Sequence, residues 1–421
     1  MTSGMTGVLQ ACLGLVVMIA LAWAMSENRR ALPWRVIVIG LGLQLVLAFA
    51  LLRFEFLRAA FLSLNDLVAA LQDATRAGTS FVFGYLGGGD LPFKPSAPGA
   101  SFILALQALP LVLLMSALSA LLYHWRILPL VVRGFAWALG RTMNIGGAAS
   151  VGTAANIFVG MIEAPLLVRP YLDRLGRGDL FLIMTAGMAT IAGTMLVLYA
   201  GFLGGVIPDP VSHLLTASVL SAPAAVVIAR VMVPVDPASG SEEAAISIAG
   251  QYESSMDAVV TGTFDGLRLL LNIVAMLIVL VALVHLANAI LGLFPDIGGA
   301  PMTLQSILGV ALSPLAWLTG IPWHEARIAG GLLGEKIVLN ELIAYLSMAR
   351  LSAEALSADS RLIMTYALCG FANFGSLGIM IGGLGVMAPN RRSEIIGLGP
   401  RSIAAGVLAT CMTGAVVGII L

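Results

Sequence analysis

Two carboxylates stand inside strongly apolar segments of the chain, where an ionised group needs a partner or a water-filled cavity. Glu163 lies in FVGMIEAPLL two positions before Pro165, and Glu341 lies in IVLNELIAYL. Proline removes a helical hydrogen bond, so the first segment is predicted to break near Glu163 and expose backbone groups that bind ions. The Glu341 carboxylate can accept hydrogen bonds from two hydroxyls, as a ribose or another diol offers. Both residues are predicted to bind a solute.

Each carboxylate also has a purely structural interpretation that the sequence leaves open. For Glu163 it is a buried ion pair with an arginine such as Arg169. For Glu341 it is a salt bridge to Lys336 or Arg327. The functional interpretation is favoured for both, because ionisable groups at membrane depth are costly and usually mark a functional site.

Two further polar side chains, Asn373 and Ser376, lie three positions apart in ALCGFANFGS, with Gly370 and Gly375 beside them. The spacing puts both on one helix face or in a local unwinding, which glycine permits. They are predicted to bind the same solute as Glu341. The alternative is that they are small contact residues between packed helices, and the residue types alone do not exclude it.

Composition decides the class of protein. Of the 421 residues, 59% are hydrophobic and 10% are charged, which is too little charge to cover a water-soluble surface. The formal net charge is zero, so a nucleic-acid partner has no electrostatic support. The cysteines and histidines match no metal-site spacing, and no hydrolase or Walker A motif occurs. The chain is therefore predicted to be a membrane transporter and not an enzyme.

Apolar windows of about 20 residues, the length that crosses a bilayer, predict about eight transmembrane helices. They lie near 5–26, 34–54, 101–123, 179–204, 211–231, 265–294, 361–388 and 402–421. Since lipid offers no partner to backbone groups, the fold is predicted to be all-α and polytopic. Two amphipathic pieces, 57–71 and 128–139, are predicted either to lie among the headgroups or to pack on protein.

The basic residues predict an orientation. With both termini outside, the cytoplasmic loops carry 14 arginines and the outer loops carry 6 basic residues, and the reverse orientation would invert this bias. The count requires that 142–178 and 303–348 each enter and leave the membrane on one side. Both segments are therefore predicted to be re-entrant hairpins.

The two halves of the chain resemble each other weakly. IMTAGMATIAGT follows the segment with Glu163, and IMTYALCGFANFGS follows the segment with Glu341. The two hairpins enter from opposite sides in the predicted topology, which is the pattern of an inverted repeat. Because such repeats place the binding site near the bilayer midplane, Glu163 and Glu341 are predicted to meet around one solute.

Several long motifs resemble the concentrative nucleoside transporter family, over nearly all of the chain from about Ser101 onward. They are AANIFVGMIEAPLLVRPYL, IPWHEARIAGG, VLNELIAYL, ALCGFAN and GGLGVMAPNRR. The resemblance implies import of nucleosides across the bacterial inner membrane, coupled to Na⁺ or H⁺ and without another cofactor. It also implies a homotrimer, in which an inverted-repeat transport domain moves like an elevator against a trimerisation scaffold.

The resemblance implies roles for individual residues as well. The ribose contacts of the family fall on Glu341, Asn373 and Ser376. Its first-hairpin carboxylate falls on Glu163.

The sodium site of the family falls on four positions of the first half: Asn156, Val159, Thr190 and Ile191. Val159 and Ile191 would contribute backbone carbonyls. The side chains of Asn156 and Thr190 carry oxygen atoms that suit a hard cation. The residues favour sodium modestly over a proton.

One motif departs from the family. Where its members commonly have Gln-Thr before the hairpin glutamate, and use the pair to hydrogen-bond the nucleobase, this chain has Met161 and Ile162. Neither side chain can make those bonds, and apolar sites discriminate weakly. A changed or relaxed base preference is predicted, with Met195 lining the same side of the substrate.

These inferences divide the chain into four parts. Residues 1–100 form N-terminal transmembrane helices with an interfacial helix, 101–234 the first core half, 235–260 a cytoplasmic linker and 261–421 the second core half. The leading function is cation-coupled nucleoside import. The alternatives are symport of another ribose-like polar solute and a non-transporting membrane protein that reuses the fold.

Overall fold

The computed structural model describes residues 2–94, 100–235, 252–295 and 301–421, and it has no strand within them. The N-terminal helices are α1 (Thr2–Ala24), α2 (Trp34–Arg53), α3 (Glu55–Phe83), α4 (Leu111–His124) and α5 (Ile127–Met143). The first half continues with α6 (Gly147–Ala155), α7 (Glu163–Leu166), α8 (Arg177–Ala189), α9 (Gly193–Leu203) and α10 (Pro210–Met232). The second half contains α11 (Ser255–Leu291), α12 (Leu304–Trp317), α13 (Trp323–Val338), α14 (Glu341–Arg350), α15 (Ala358–Leu368), α16 (Phe374–Met387) and α17 (Arg392–Ile420). The all-α prediction is confirmed.

Seven segments of the described chain are long and apolar enough to cross a membrane. Seven of the eight predicted spans fall on these segments. The predicted span 361–388 differs, because it consists of the two shorter helices α15 and α16, which are separated at Cys369–Asn373. The predicted linker 235–260 lies mostly outside the described residues, and α11 already begins at Ser255.

Each half has a break between two helices, and the two breaks lie against each other. In the first half α8 ends at Ala189 and α9 begins at Gly193, and in the second half the chain breaks at Gly370. A Cβ atom on Gly370 would lie 2.8 Å from the carbonyl oxygen of Met188, so only glycine permits this approach of the two backbones. The matching IMT segments thus meet at their breaks, as the inverted repeat predicts.

The hairpin segments contain helices too short to cross a bilayer. In the first, α6 has nine residues and α7 has four. In the second, α13 and α14 have 16 and 10 residues, which give about 24 Å and 15 Å of helix against about 30 Å of hydrocarbon. The segment 303–348 also includes α12, which packs along α13, so it contains three helices rather than two.

The core lies around α8, α10 and α17, and α10 is buried along nearly its whole length. The N-terminal helices α1 and α2 pack on α10 and α17. In contrast, α11 packs mainly along α4, where Gly262 and Gly266 allow close contact with Leu113 and Ser116, and few of its residues are buried. The structure therefore has a central bundle, with the α4–α11 pair packed at its side through α4.

Ion pairs fix which helix ends lie together. Glu27, in the loop between α1 and α2, pairs with Arg177 at the start of α8 and with Arg401 in the N-terminal half of α17. At the opposite end of the bundle Arg53 donates to the carbonyl of Ile420. This alternation agrees with the predicted order of the spans, and the arginine bias predicts that the Glu27 end faces the cytoplasm.

Candidate functional site

The Glu341 carboxylate is buried and held by two donors from distant parts of the chain. Asn340 caps α14 by accepting a hydrogen bond from the backbone N–H of Ile343 at 3.0 Å, which places Glu341 in the first helical turn. Glu341 Oε1 accepts from the hydroxyl of Tyr199 at 2.6 Å, and Oε2 accepts from Asn373 Nδ2 at 3.0 Å. Among the described residues no ion pair joins Glu341 to Lys336 or to Arg327, so neither of the two predicted salt bridges is found there.

The side chain of Asn373 makes hydrogen bonds to two helices, α14 and α16. Its Oδ1 accepts from the backbone N–H of Ser376 at 2.7 Å and so caps α16, while its Nδ2 donates to Glu341. The cap fixes the amide orientation, because only the oxygen can accept the bond from Ser376. The structure thus brings together Glu341, Asn373 and Ser376, the three residues that the resemblance assigns to ribose.

Tyr199 belongs to this cluster, and the sequence reasoning missed it. Its ring is fully buried on α9 and lies 5.2 Å from the ring of Tyr345, whose hydroxyl donates to the carbonyl of Thr365 at 2.8 Å. A tyrosine in an apolar span needs a partner for its hydroxyl, and that need was the available signal. Met195 lies one helical turn before Tyr199 and is also buried, so it is close to this cluster.

Glu163 has a different environment from Glu341. It is the first residue of α7, and its side chain is exposed on a cavity of about 170 Å³ between the first hairpin, the start of α9 and the α4–α11 pair. The polar side chains that line the cavity with it are Ser116, Ser119, Tyr123, Thr194, Tyr252 and Asp265. No ion pair joins Glu163 to Arg169 in the described part of the chain.

The two glutamates do not line this cavity together. Val159, Gly160 and Glu163 line it, whereas Glu341 is enclosed by Tyr199 and Asn373. Their common contact with one solute stays a prediction. The N-terminal end of α9 connects the two places, because Thr194 lines the cavity and the same helix carries Tyr199.

Met161 and Ile162 pack against the helices on either side of the hairpin. A Cβ atom on Gly187 of α8 would lie 3.1 Å from Met161 Cβ and 3.3 Å from the terminal methyl of Met380 on α16. Ile162 lies against Gly383, one turn further along α16. Since Ser376 and Met380 share a helix face, the first hairpin lies next to the helix that Asn373 caps.

The predicted cation ligands lie where two helices end. Asn156 follows α6 and is buried, its Nδ2 donates to the carbonyl of Gly152 at 2.9 Å, and its Oδ1 makes no hydrogen bond within the described chain. Thr190 follows α8, and its hydroxyl donates to the carbonyl of Ala186 at 2.8 Å, which leaves its oxygen lone pairs available. Helix C-termini carry partial negative charge, so their meeting point favours a cation.

The donor set at this place consists of neutral oxygens. Val159 and Ile191 lie in the non-helical stretches that follow α6 and α8. In the described part of the chain no group of three His, Cys, Asp or Glu residues is placed to hold a metal ion. Neutral oxygens suit a hard cation such as Na⁺ better than a transition metal, and the unpaired Asn156 Oδ1 fits that role.

Comparison with known proteins covers almost the whole chain. Three family models match: "Na+ dependent nucleoside transporter N-terminus" over 13–86, "Nucleoside recognition" over 105–206 and "Na+ dependent nucleoside transporter C-terminus" over 213–418. The chain is 39% identical to "Uncharacterized transporter YutK" of Bacillus subtilis, over 98% of this chain and 99% of the relative. It is 33% identical to "Nucleoside permease NupC" of Helicobacter pylori, over 96% of each protein.

A solved structure has the same fold. The structure of CNTnw in an inward-facing substrate-bound state is similar with a TM-score of 0.87 and 33% sequence identity. The similarity covers 98% of both chains. The agreement therefore extends over the spans, both hairpin segments and both breaks.

Proposed function

Because this chain belongs to the concentrative nucleoside transporter family, we propose that it imports nucleosides together with a cation. Members of the family are transporters and not enzymes. The helices of this chain that can cross a membrane place it in a lipid bilayer. The family membership supports the bacterial inner membrane as its location.

The observation that carries the proposal is the cluster of Glu341, Asn373 and Tyr199. A carboxylate has about four lone-pair positions, and the two protein donors use two of them, so two hydroxyls of a ribose can add to the same group. The 2.6 Å and 3.0 Å hydrogen bonds hold the carboxylate in place before substrate arrives. In this proposal Ser376 contributes its hydroxyl to the same sugar, and Glu163 and Met195 contact the substrate from the first half.

The coupling cation is proposed to be Na⁺, held by Asn156, Val159, Thr190 and Ile191. The unpaired buried Oδ1 of Asn156 supports this choice, because a buried polar atom without a partner is costly unless something binds it. Sodium binding between the ends of α6 and α8 would stabilise the hairpin that carries Glu163. Proton coupling is the alternative, with Glu163 as the carrier.

We also propose an elevator mechanism in a homotrimer, with the α4–α11 pair in the scaffold. The cavity beside Glu163 separates this pair from the hairpin and α9, so it lies where a moving domain would slide past a fixed one. Most of α11 faces away from the core and presents apolar side chains, which a trimer contact or lipid would cover. Both termini are proposed to lie outside the cytoplasm.

The second candidate is symport of another ribose-like solute. Met161 and Ile162 favour it, because they offer no hydrogen bond to a nucleobase. Uptake competition among uridine, adenosine and modified nucleosides separates the two. A weak ranking of the bases supports relaxed nucleoside transport, whereas no competition by any nucleoside supports the other solute.

The proposal is tested with purified protein in liposomes by nucleoside uptake, first in Na⁺ and then with choline in its place at fixed pH. Accumulation that needs Na⁺ is expected. The Tyr199→Phe variant removes one donor to Glu341, and we expect a KM about tenfold higher, because a hydrogen bond to a charged group is worth about 1.5–3 kcal/mol. A lack of uptake under both a sodium and a proton gradient would contradict transport and favour the non-transporting alternative.

A further inference from the structure

In the second half, Lys336 lies at the place in the sequence that corresponds to Asn156. When the two IMT segments are aligned, Gly187 of α8 corresponds to Ala367 of α15. In the first half, Asn156 Oδ1 would lie 3.5 Å from a Cβ atom on Gly187. In the second half, Lys336 Nζ donates to the carbonyl of Ala367 at 2.9 Å.

The sequence around these two residues supports the same correspondence. AANIFV contains Asn156 and GEKIVL contains Lys336, and the two stretches align without a gap at the shared isoleucine. Both stretches end a helix and precede the hairpin glutamate of their own half. The repeat therefore places an amide oxygen in one half where it places an ammonium in the other.

The surroundings of Lys336 are those of a bound cation. The side chain is fully buried, and Nζ donates to the Ala367 carbonyl and, at 2.8 Å, to Thr410 Oγ1 of α17. Because α15 ends at Leu368, the Ala367 carbonyl is one of the last four of its helix, which have no intrahelical partner. The ammonium thus lies near the C-terminal ends of both α13 and α15, where the helix dipoles favour positive charge.

We infer that Lys336 is a tethered cation that occupies the second-half counterpart of the proposed sodium position. The first half would then recruit its cation from solution, while the second half carries one covalently. In consequence the chain needs one soluble cation per substrate rather than two. This inference rests on the proposed function only in taking the Asn156 position as the soluble-cation site.

The test replaces the ammonium with the residue that the first half has. In Lys336→Asn the second position is expected to require a dissolved cation, so thermal unfolding of the purified protein should shift down by about 5–10 °C in choline chloride. In sodium or lithium chloride at least half of this loss should return. Lys336→Met, which keeps the length of the stem and offers no oxygen, should show the loss without the recovery. The measurement needs neither substrate nor transport, so it stands even if the nucleoside proposal fails.

A second readout uses the sodium dependence of nucleoside uptake. The Hill coefficient for Na⁺ should rise from about 1 in the unmodified protein to about 2 in Lys336→Asn, because two soluble cations would then act together. Lys336→Arg keeps the charge and should keep the coefficient near that of the unmodified protein. A purely structural lysine would give equal losses in Lys336→Asn and Lys336→Met with no cation effect. That result, or failure of Lys336→Asn to fold in every salt, would overturn the inference.

Discussion

The two halves of the molecule are related by an inverted repeat, but the polar groups at corresponding positions differ in burial and in pairing. Glu163 in the first half is exposed on a cavity, while Glu341 in the second half is buried under the Tyr199 hydroxyl and the Asn373 amide. Asn156 and Lys336, which precede these glutamates in the two halves, also differ in how completely they are paired. Asn156 has an unpaired oxygen, whereas the ammonium of Lys336 already has two partners.

The comparison indicates that the second half is held in place by its own hydrogen bonds, whereas the first half is where ligands add new contacts. In the second half Glu341, Asn373 and Lys336 have hydrogen-bond partners within the described chain, so their geometry is fixed before any ligand binds. In the first half the Oδ1 atom of Asn156 has no partner within the described chain, and Glu163 faces a cavity. Ligand binding is therefore expected to reorganise the first hairpin more than the second.

The largest expected effect comes from removing the charges of the two glutamates one at a time. In Glu341→Gln one of the two acceptor oxygens becomes an NH₂ donor and the charge is lost, so the side chain can no longer accept from both Tyr199 and Asn373; we expect uptake to fall about 100-fold and the free energy of unfolding to fall by about 2 kcal/mol. In Glu163→Gln uptake should also fall, but thermal unfolding should stay unchanged because the side chain is exposed. The measurements are uptake in liposomes and thermal unfolding in detergent. An equal loss of stability in both variants would contradict the difference in burial between Glu341 and Glu163.

An intermediate effect is expected where the two halves cross. In Gly370→Ala the added methyl lies 2.8 Å from the Met188 carbonyl oxygen, so the crossing must open and stability should fall by about 1–3 kcal/mol. The matched control is Gly382→Ala on α16, which has open space around it and should be neutral or slightly stabilising. Thermal unfolding of both variants provides the measurement. Equal unfolding midpoints for the two variants would mean that the contact between Gly370 and the Met188 carbonyl tolerates a side chain.

The smallest effect is expected from Glu27, whose ion pairs with Arg177 and Arg401 connect the two halves at one end of the bundle. The hydrogen bond from Arg177, helped by the charge of Arg401, lowers the pKa of Glu27 below its ordinary value of 4.5. A lowered pKa stabilises the fold above the ordinary value and loses that contribution as pH falls through the folded-state value.

Thermal unfolding from about pH 7 to about pH 3 measures this contribution, which is small because the ion pairs are partly exposed. The unfolding temperature of the unmodified protein should fall by about 2 °C or less relative to Glu27→Gln, whose side chain does not titrate. Parallel curves for the two proteins would show that this contact does not stabilise the fold.

The sequence by itself determined that the chain is helical and where most of its membrane-crossing segments lie. Apolar length predicted seven of the spans, and the glycines beside Asn373 permitted the break that divides 361–388 into two helices. Asn340 and Asn373 cap the helices that follow them through bonds to residues three positions on, and such local bonds depend on little else. For this reason the sequence motifs alone were enough to single out Glu341, Asn373 and Ser376.

Only the tertiary structure decided which distant groups meet. Tyr199 reaches Glu341 across 142 positions, and Lys336 reaches Thr410 across 74, because packing and not spacing sets these contacts. The exposure of Glu163 and the unpaired Asn156 Oδ1 depend on how the first hairpin lies against α8 and α16. Local sequence fixes backbone hydrogen bonds within a helix, whereas the partner of a buried polar side chain is chosen by the neighbours that the folded bundle brings to it.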